Sequence, residues 1–501
     1  LNFNLNKIFV SQIDNFEKRI KNLFFLPALI SGLGLTLAGR VTAQTFTTLH
    51  TFTTTPVIGS HTNSDGASPN GGMVLSGNTL YGTTAQGGTG GNGTVFRIST
   101  DGTGFTNLYS FSANSNFPNP FITNSDGAYP GELVLSGSVM YGTTYNGGTN
   151  SYGTIFAINT DGTGFTNLHT FTGLDGSHSL AGLLLSGSTL YGTTLGGGSA
   201  GGGTVFRINT DGTGFSNLYN FNGGLNYPSA QLVLSSNTVY GTTAEGGSPS
   251  DGTVFAIETN GTSFTILHNF NGNDGADTYG GVVFLNNTLY GTTAEGGDFG
   301  RGSVFAVNTD GTGFTNLHSF DRDDGSFGVM SGPGPIAVSS TTLFLSGNTL
   351  YGTTPYGGSA GAGTIFTINT DGTGFNSFYN FPTTGNSFPY TNSDGAVPDA
   401  SLILSGNTLY GTASTGGSAG EGTVFSISLP INAPQLTIMP SITNVVLSWP
   451  TNATDFTLQF TTNLVPPAVW STNSPSPVVV NGQNTVTNPI SGTQKFYRLS
   501  Q

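Results

Sequence analysis

A chain of 501 residues with 78 glycines, 7% charged residues, no cysteine and a formal net charge of −14 is neither disordered nor built on disulfides. Aromatic residues make up 11% of it, whereas disordered chains combine few aromatics with dense charge, and a chain this long can bury a core without cross-links. The acidic excess repels phosphate backbones and excludes nucleic acid as a partner.

Residues 1–43 differ from the rest. They hold Lys7, Lys18, Arg19, Lys21 and Arg40, an apolar stretch from Leu23 to Ala38, and then Val41-Thr42-Ala43. This is the pattern of a secretory signal cleaved before Gln44. The apolar stretch falls short of the ~20 residues of a comfortable span, and no later segment reaches it. A secreted, periplasmic or cell-surface protein without a membrane span after signal removal is therefore expected. The leader takes five of the 11 basic residues and two of the 25 acidic ones, so the remainder is more acidic and keeps one lysine, Lys495.

From Gln44 onward the sequence repeats. Tyr-Gly-Thr recurs at Tyr81, Tyr141, Tyr191, Tyr240, Tyr290, Tyr351 and Tyr410. Each unit predicts four short strands. The first is an apolar run such as Met73-Val74-Leu75 or Leu402-Ile403-Leu404. A tight turn follows, Ser76-Gly77-Asn78 or Asn286-Asn287, because Gly and Asn tolerate the positive φ of two-residue hairpins. The second strand is Thr-Leu-Tyr-Gly-Thr-Thr, and a glycine-rich loop leads to the third, as in Gly203 to Ile208. An Asp-Gly or Asn-Gly turn precedes the fourth, as in Phe165 to Phe171. The block of first to third strands occurs seven times, and the last block has no fourth strand after it. A lone fourth-strand motif, Phe46 to Phe52, stands at the start instead. The expectation is an all-β protein: a seven-bladed β-propeller over residues 44–430, closed by its N-terminal strand.

The run Tyr-Gly-Thr-Thr…Gly-Gly…Gly-Thr-Val-Phe-x-Ile-x-Thr-Asp-Gly-Thr-Gly-Phe-Thr-Asn-Leu-His resembles the GloVer tandem repeat over about residues 46–429. That resemblance implies an exported or surface bacterial protein with an exchangeable C-terminal anchor, and it brings no catalytic residues to transfer. Residues 431–434 read as a linker. In residues 435–501, Asn444 to Pro450 resembles an early core strand of fibronectin type III modules, and Phe496-Tyr497-Arg498-Leu499 resembles the tail of small C-terminal β-domains on exported proteins. A small β-sandwich is expected, with strands at Leu436–Ile438, Val445–Trp449, Phe456–Phe460, Val478–Val480 and Phe496–Leu499. Trp449 is expected in its core; Trp470 is either core or a carbohydrate platform.

Candidate chemistry sits in the loops. Asp65, Asp126, Asp175, Asp274, Asp324 and Asp394 recur in Asp-Gly-Ala/Ser on the connections between repeats, where a propeller presents its ligand face. They form either Asx turns or oxygen ligands for Ca²⁺, the one cofactor such residues suggest. Asp321, Asp323 and Asp324 come nearest to a calcium loop, with the wrong spacing. Glu245 and Glu295 hold equivalent loop positions in adjacent repeats, where two carboxylates facing a groove could hydrolyse a glycosidic bond; other repeats place Gln86, Asn146, Gly196, Tyr356 and Thr415 there. His50, His169, His268 and His318 share a position with Tyr109, Tyr219 and Tyr379 and read as strand side chains, while His61 and His178 lie in loops. The leading expectation is a monomeric binding or adhesion protein presenting a polar face to a glycan or a cell-surface protein, without catalysis. A polysaccharide-active enzyme and a structural surface-layer component are the alternatives.

Overall fold

The computed structural model describes residues 44–55, 61–113, 123–222, 226–327, 341–385, 390–429, 436–441, 444–450, 457–463, 468–472, 475–480, 483–489 and 495–500. The signal sequence and the linker lie outside these. Among the described residues every regular element is a strand, and no helix is long and apolar enough to cross a membrane. The chain divides into two compact units, one over Gln44–Leu429 and one that includes the C-terminal residues from Pro430.

In the first unit, four-stranded antiparallel sheets follow one another along the chain. The first is Val74–Ser76, Thr79–Thr84, Thr94–Ser99 and Thr106–Ser110, side by side in that order. The second sheet gains a fifth strand, Ala128–Pro130. The last joins Ile403–Ser405, Thr408–Ala413 and Thr423–Ser428 to Phe46–Thr51 from the start of the chain. Thr45 and Ser428 complete that pairing: the Ser428 amide donates to the Thr45 carbonyl at 3.0 Å and the Thr45 amide to Ser428 Oγ at 2.8 Å.

The turns have the expected chemistry. Gly77 sits at φ 57°, and Asn286 and Asn287 at 47° and 67°, the left-handed pair that a two-residue hairpin needs. Two details depart from the sequence reading. The first strands are three residues long and begin one residue later than expected, at Val74 and Ile403, because the preceding Met73 and Leu402 turn into the core at 4% and 5% exposure. The fourth strands carry a bulge: the register shifts between Asn167 and His169, and equivalently in the other sheets. The extra residue, Leu49, Leu108 or Leu168, sits beneath the Asp-Gly turn of the following sheet.

Three sets of contacts link each sheet to the next, and each set also links the last sheet to the first. Apolar cores lie between neighbours; Phe52, Leu80, Phe96 and Ile98 pack with Tyr410 and Val424 where the ends of the unit meet. Each buried Val, Leu, Ile or Phe contributes about 1.5–3 kcal/mol. The threonine of Tyr-Gly-Thr donates its hydroxyl to the next repeat: Thr83 to the Gly131 carbonyl at 2.8 Å, Thr242 to Gly280 at 3.0 Å, Thr353 to Ala400 at 3.2 Å, and Thr412 back to Gly71 at 3.5 Å. Finally, the His or Tyr of each fourth strand stacks on a phenylalanine of the next sheet. His50 lies 3.7 Å from Phe105, Tyr109 4.1 Å from Phe165, His268 3.7 Å from Phe314, and Tyr379 4.4 Å from Phe46, with the rings within 5° of parallel.

The C-terminal unit has a four-stranded sheet (Thr437–Ser441, Asn444–Pro450, Gln483–Pro489, Val478–Val480) and a two-stranded one (Thr457–Thr461, Phe496–Ser500). Leu447, Trp449 and Val486 of one sheet share a core with Leu458 of the other. Trp449 is 2% exposed. The Arg498 guanidinium lies 4.2 Å over the Trp470 ring, which occupies one of the two faces a sugar could stack on. The strand Gln483–Pro489 was not expected, since its Gln-Asn-Thr-Val-Thr-Asn run alternates with one apolar residue only.

Candidate functional site

The site begins with the short lead-in to each first strand. The carbonyls that receive the threonine hydroxyls belong to this segment, so the threonines fix where the following residue stands. That following position holds Gly72, Glu132, Gly182, Gln231, Gly281, Thr342 and Ser401. The side chains present converge on the space the glycines leave. Ser401 Oγ donates to Glu132 Oε1 at 2.9 Å, although 269 residues separate them. A β-carbon on Gly72 would fall 2.0 Å from Ser401 Oγ and 2.4 Å from Glu132 Oε1, and one on Gly182 3.2 Å from Glu132 Oε2. A side chain at Gly72 would therefore displace the Ser401 hydroxyl and the Glu132 carboxylate from their bond.

Beside this cluster lies a cavity of about 230 Å³ whose wall includes Glu132, Asp399, Asn70, Gln86, Tyr129 and Tyr145. Among the described residues its lining comes from several sheets and contains no Lys, Arg or His. Asp399 is 7% exposed, and its Oδ1 has no hydrogen-bond partner, nor has Asn70 Oδ1. Burial pushes the Asp399 carboxyl up to about 7, against the hydrogen bonds it accepts from its own amide and Ser414. Glu132 is also raised by burial, which its bond from Ser401 only partly offsets.

A strained backbone position recurs in the repeats, and two of its residues, Ser68 and Tyr129, line the cavity. Ser68, Tyr129, His178, Tyr227, Asp277 and Val397 hold this equivalent place in six of the repeats, at φ between 47° and 60°. Such a conformation costs about 1–3 kcal/mol for a non-glycine residue and is an outlier for valine. The backbone holds it in place: the Ser68 amide donates to the Glu421 carbonyl at 2.8 Å, His178 to Tyr152 at 2.9 Å, Asp277 to Asp251 at 3.0 Å and Val397 to Ala362 at 3.0 Å. These bonds use no side chain, so the side chains differ freely. His178 stacks on Tyr145 at 4.6 Å, and burial pulls its imidazole below the usual range.

Glu245 and Glu295 are brought together around Asp277. Burial first, then the nearby Glu295, Glu245 and Asp251 carboxylates, push Asp277 up to about 6. Tyr279 is pushed up to about 12 by burial and then by Asp277, Glu245 and Glu295. Sequence reasoning missed Asp277, Glu132 and Asp399, which are the carboxyls most changed by their surroundings. Their one signal was an acid at a repeat position that elsewhere holds a small or neutral residue: Asp277 matches Ser68, Glu132 matches Gly72 and Asp399 matches Asn70.

The six recurring aspartates do not meet one another. Each is tied to its own fourth strand. Asp65, Asp175, Asp274 and Asp324 bond His50, His169, His268 and His318 at 2.8–3.2 Å. Asp126 and Asp394 accept from the hydroxyls of Tyr109 and Tyr379. Asp65 also accepts from the Thr53 amide, and Asp175 from the Thr172 amide. Asp321 accepts from the amides of Asp323 and Asp324, closing a turn on itself. Among the described residues no group of three or more His, Asp or Glu side chains has an arrangement that could hold a metal ion. His61 lies exposed in its loop.

No curated protein matches this chain. Among solved structures it resembles the computationally designed Ika8 protein (14% identity, 72% of this chain and 98% of that one, TM-score 0.39). It also resembles an oligogalacturonate lyase in complex with manganese (10% identity, 74% and 90%, TM-score 0.46) and the tricorn protease (12% identity, 76% and 33%, TM-score 0.36). A family model described as the Gloeobacter/Verrucomicrobia repeat matches residues 117–276 and 227–451. Those matches cover more than half of the chain and repeat the Tyr-Gly-Thr and Asp-Gly-Thr-Gly-Phe units whose threonines and phenylalanines join the sheets, and the chain belongs to this family.

Proposed function

We propose that Gln44–Leu429 is a seven-bladed β-propeller closed by its N-terminal strand, and that it binds a glycan in the cavity at its axis. The architecture is supported by the three sets of contacts that run from each sheet to the next and from the last to the first. The ligand class is supported chiefly by one observation: a cavity walled by amide, carboxyl and tyrosine side chains. Sugar hydroxyls hydrogen-bond to amide and carboxyl groups, and tyrosine rings supply the apolar faces that pyranose rings pack on. The signal-like leader supports reading it as a secreted or surface protein, with the C-terminal unit, read as a fibronectin type III-like β-sandwich, as its attachment domain.

A hydrolytic reading has one specific observation in its favour. Asp277, pushed up to about 6 by burial and by the neighbouring Glu295 and Glu245, has the character of a general acid. Both readings meet in one experiment. The purified protein is incubated with insoluble polysaccharides, and the supernatants are assayed for protein depletion and for released reducing sugar. Depletion without release supports binding. Release that disappears in Asp277→Asn would replace the binding reading with hydrolysis, and no depletion on any polymer would remove the glycan reading.

A further inference from the structure

Resting on the glycan reading, we infer that the axial cavity selects a glycan carrying a protonated amine, an amino sugar, through Asp399 and Glu132. Three features of the cavity converge on a cation. First, two carboxyl side chains from repeats far apart in sequence line one space of about 230 Å³ that, among the described residues, contains no basic residue. A buried carboxylate without a counter-charge is costly, so the space is electrostatically incomplete as it stands. Secondly, Asp399 belongs to the wall, is more than nine-tenths buried, and has an Oδ1 without a hydrogen-bond partner. Its ionised form is therefore under-compensated by the protein, and an ammonium group in the adjoining space supplies the missing positive charge. Thirdly, Tyr129 and Tyr145 belong to the same lining, and aromatic faces attract ammonium groups as well as pyranose rings.

The rim adds to this. Asp277 occupies the repeat position of Ser68, and Glu245 and Glu295 that of Gln86, both of which line the cavity. The face around the mouth therefore carries further acidic groups, which raise the local concentration of cations. A metal ion is the less suitable cation, since no cluster of three ligating side chains exists among the described residues. Uronic acids are disfavoured by the same carboxyls.

Asp399 holds its proton near neutrality when the cavity has no cation. The groups around it are Ser414 and Tyr356, whose hydroxyl it pushes up after burial does, and Glu132 shares the cavity wall. An ammonium ligand favours the ionised carboxyl, so binding should release a proton.

The test is calorimetric titration of the full protein at about pH 6 with three probes of equal length: a glucosamine tetramer, its N-acetylated counterpart and cellotetraose. Two buffers of different ionisation enthalpy report the proton release. The glucosamine tetramer should bind at least about tenfold tighter than either neutral probe, and Asp399→Asn and Glu132→Gln should each weaken it by about tenfold or more. Equal binding of the three probes, or an unchanged affinity in folded Asp399→Asn, would overturn the amine inference and leave the glycan reading standing. Binding of none of the three, together with no retention on polymers, would remove both. Thermal melts show whether each variant is folded. Asp399→Asn should melt no lower than the parent at about pH 8, since it removes a carboxylate that is costly to ionise there.

Discussion

The position shared by His and Tyr illustrates what a single residue is asked to do here. It must offer a flat ring to stack on the phenylalanine of the next sheet and a polar edge to reach an aspartate. His169 meets both demands, at 3.9 Å from Phe215 and 3.1 Å from Asp175, and so does Tyr109 with Phe165 and Asp126. The exchange was legible in the sequence, but its reason was not, because the stacking partner lies in another repeat. Burial pulls the imidazoles of His169 and His268 below 6.5, more than their aspartates raise them. Their folded pKa is thus below the unfolded one. The unfolded chain takes up protons first on acidification, so this contribution is present above about pH 6.5 and is lost as pH falls through and below it. The double substitution His169→Tyr and His268→Tyr should fold, and its melting temperature should fall less between pH 7 and pH 5 than that of the parent. An identical pH slope would show that these histidines do not titrate on unfolding.

At the scale of the strand, the turn pairs, the alternation and the Tyr-Gly-Thr marks predicted nearly every element of the repeats. What they could not predict was the use of the threonine. Threonine in a strand reads as an ordinary polar-face residue, yet Thr83 is fully buried and donates across to Gly131. The donor and acceptor are 48 residues apart, a distance at which local patterns carry no information. Thr83→Val keeps the shape and leaves a buried carbonyl without its donor, which should destabilise the protein by about 1–3 kcal/mol. Thr412→Val removes a longer contact of 3.5 Å and should cost less. Chemical denaturation of the two variants would check the order, and a larger loss for Thr412→Val would count against it. The fourth-strand bulge escaped prediction for a related reason: its extra leucine is apolar, as strand residues usually are, and only the register reveals that it faces the neighbouring turn.

For the whole molecule, counting strands was more informative than any motif. A missing fourth strand at one end and a spare one at the other predicted the pairing of Phe46–Thr51 with Thr423–Ser428. The cavity was not predictable in this way, since Glu132 and Asp399 belong to repeats far apart in sequence and come to line one space only through the arrangement of the lead-in segments. Truncation of residues 44–55 should expose the fully buried Val424 and Phe425 and the unpaired edge of Thr423–Ser428, a template for association. Size-exclusion chromatography should show oligomers and a lowered melting temperature; a monomer melting like the parent would contradict the pairing. The same junction bears on how such a protein could arise. Because the chain enters one strand out of phase, the unit of duplication in the gene is not the sheet of the fold. A copied or deleted gene segment changes the number of sheets yet leaves a lone fourth strand at one end of the array and a three-stranded block lacking one at the other, each complementary to the other. Unequal recombination can therefore lengthen or shorten the array without ever creating an unmatched terminus, so repeat number is open to drift while the seam is inherited intact.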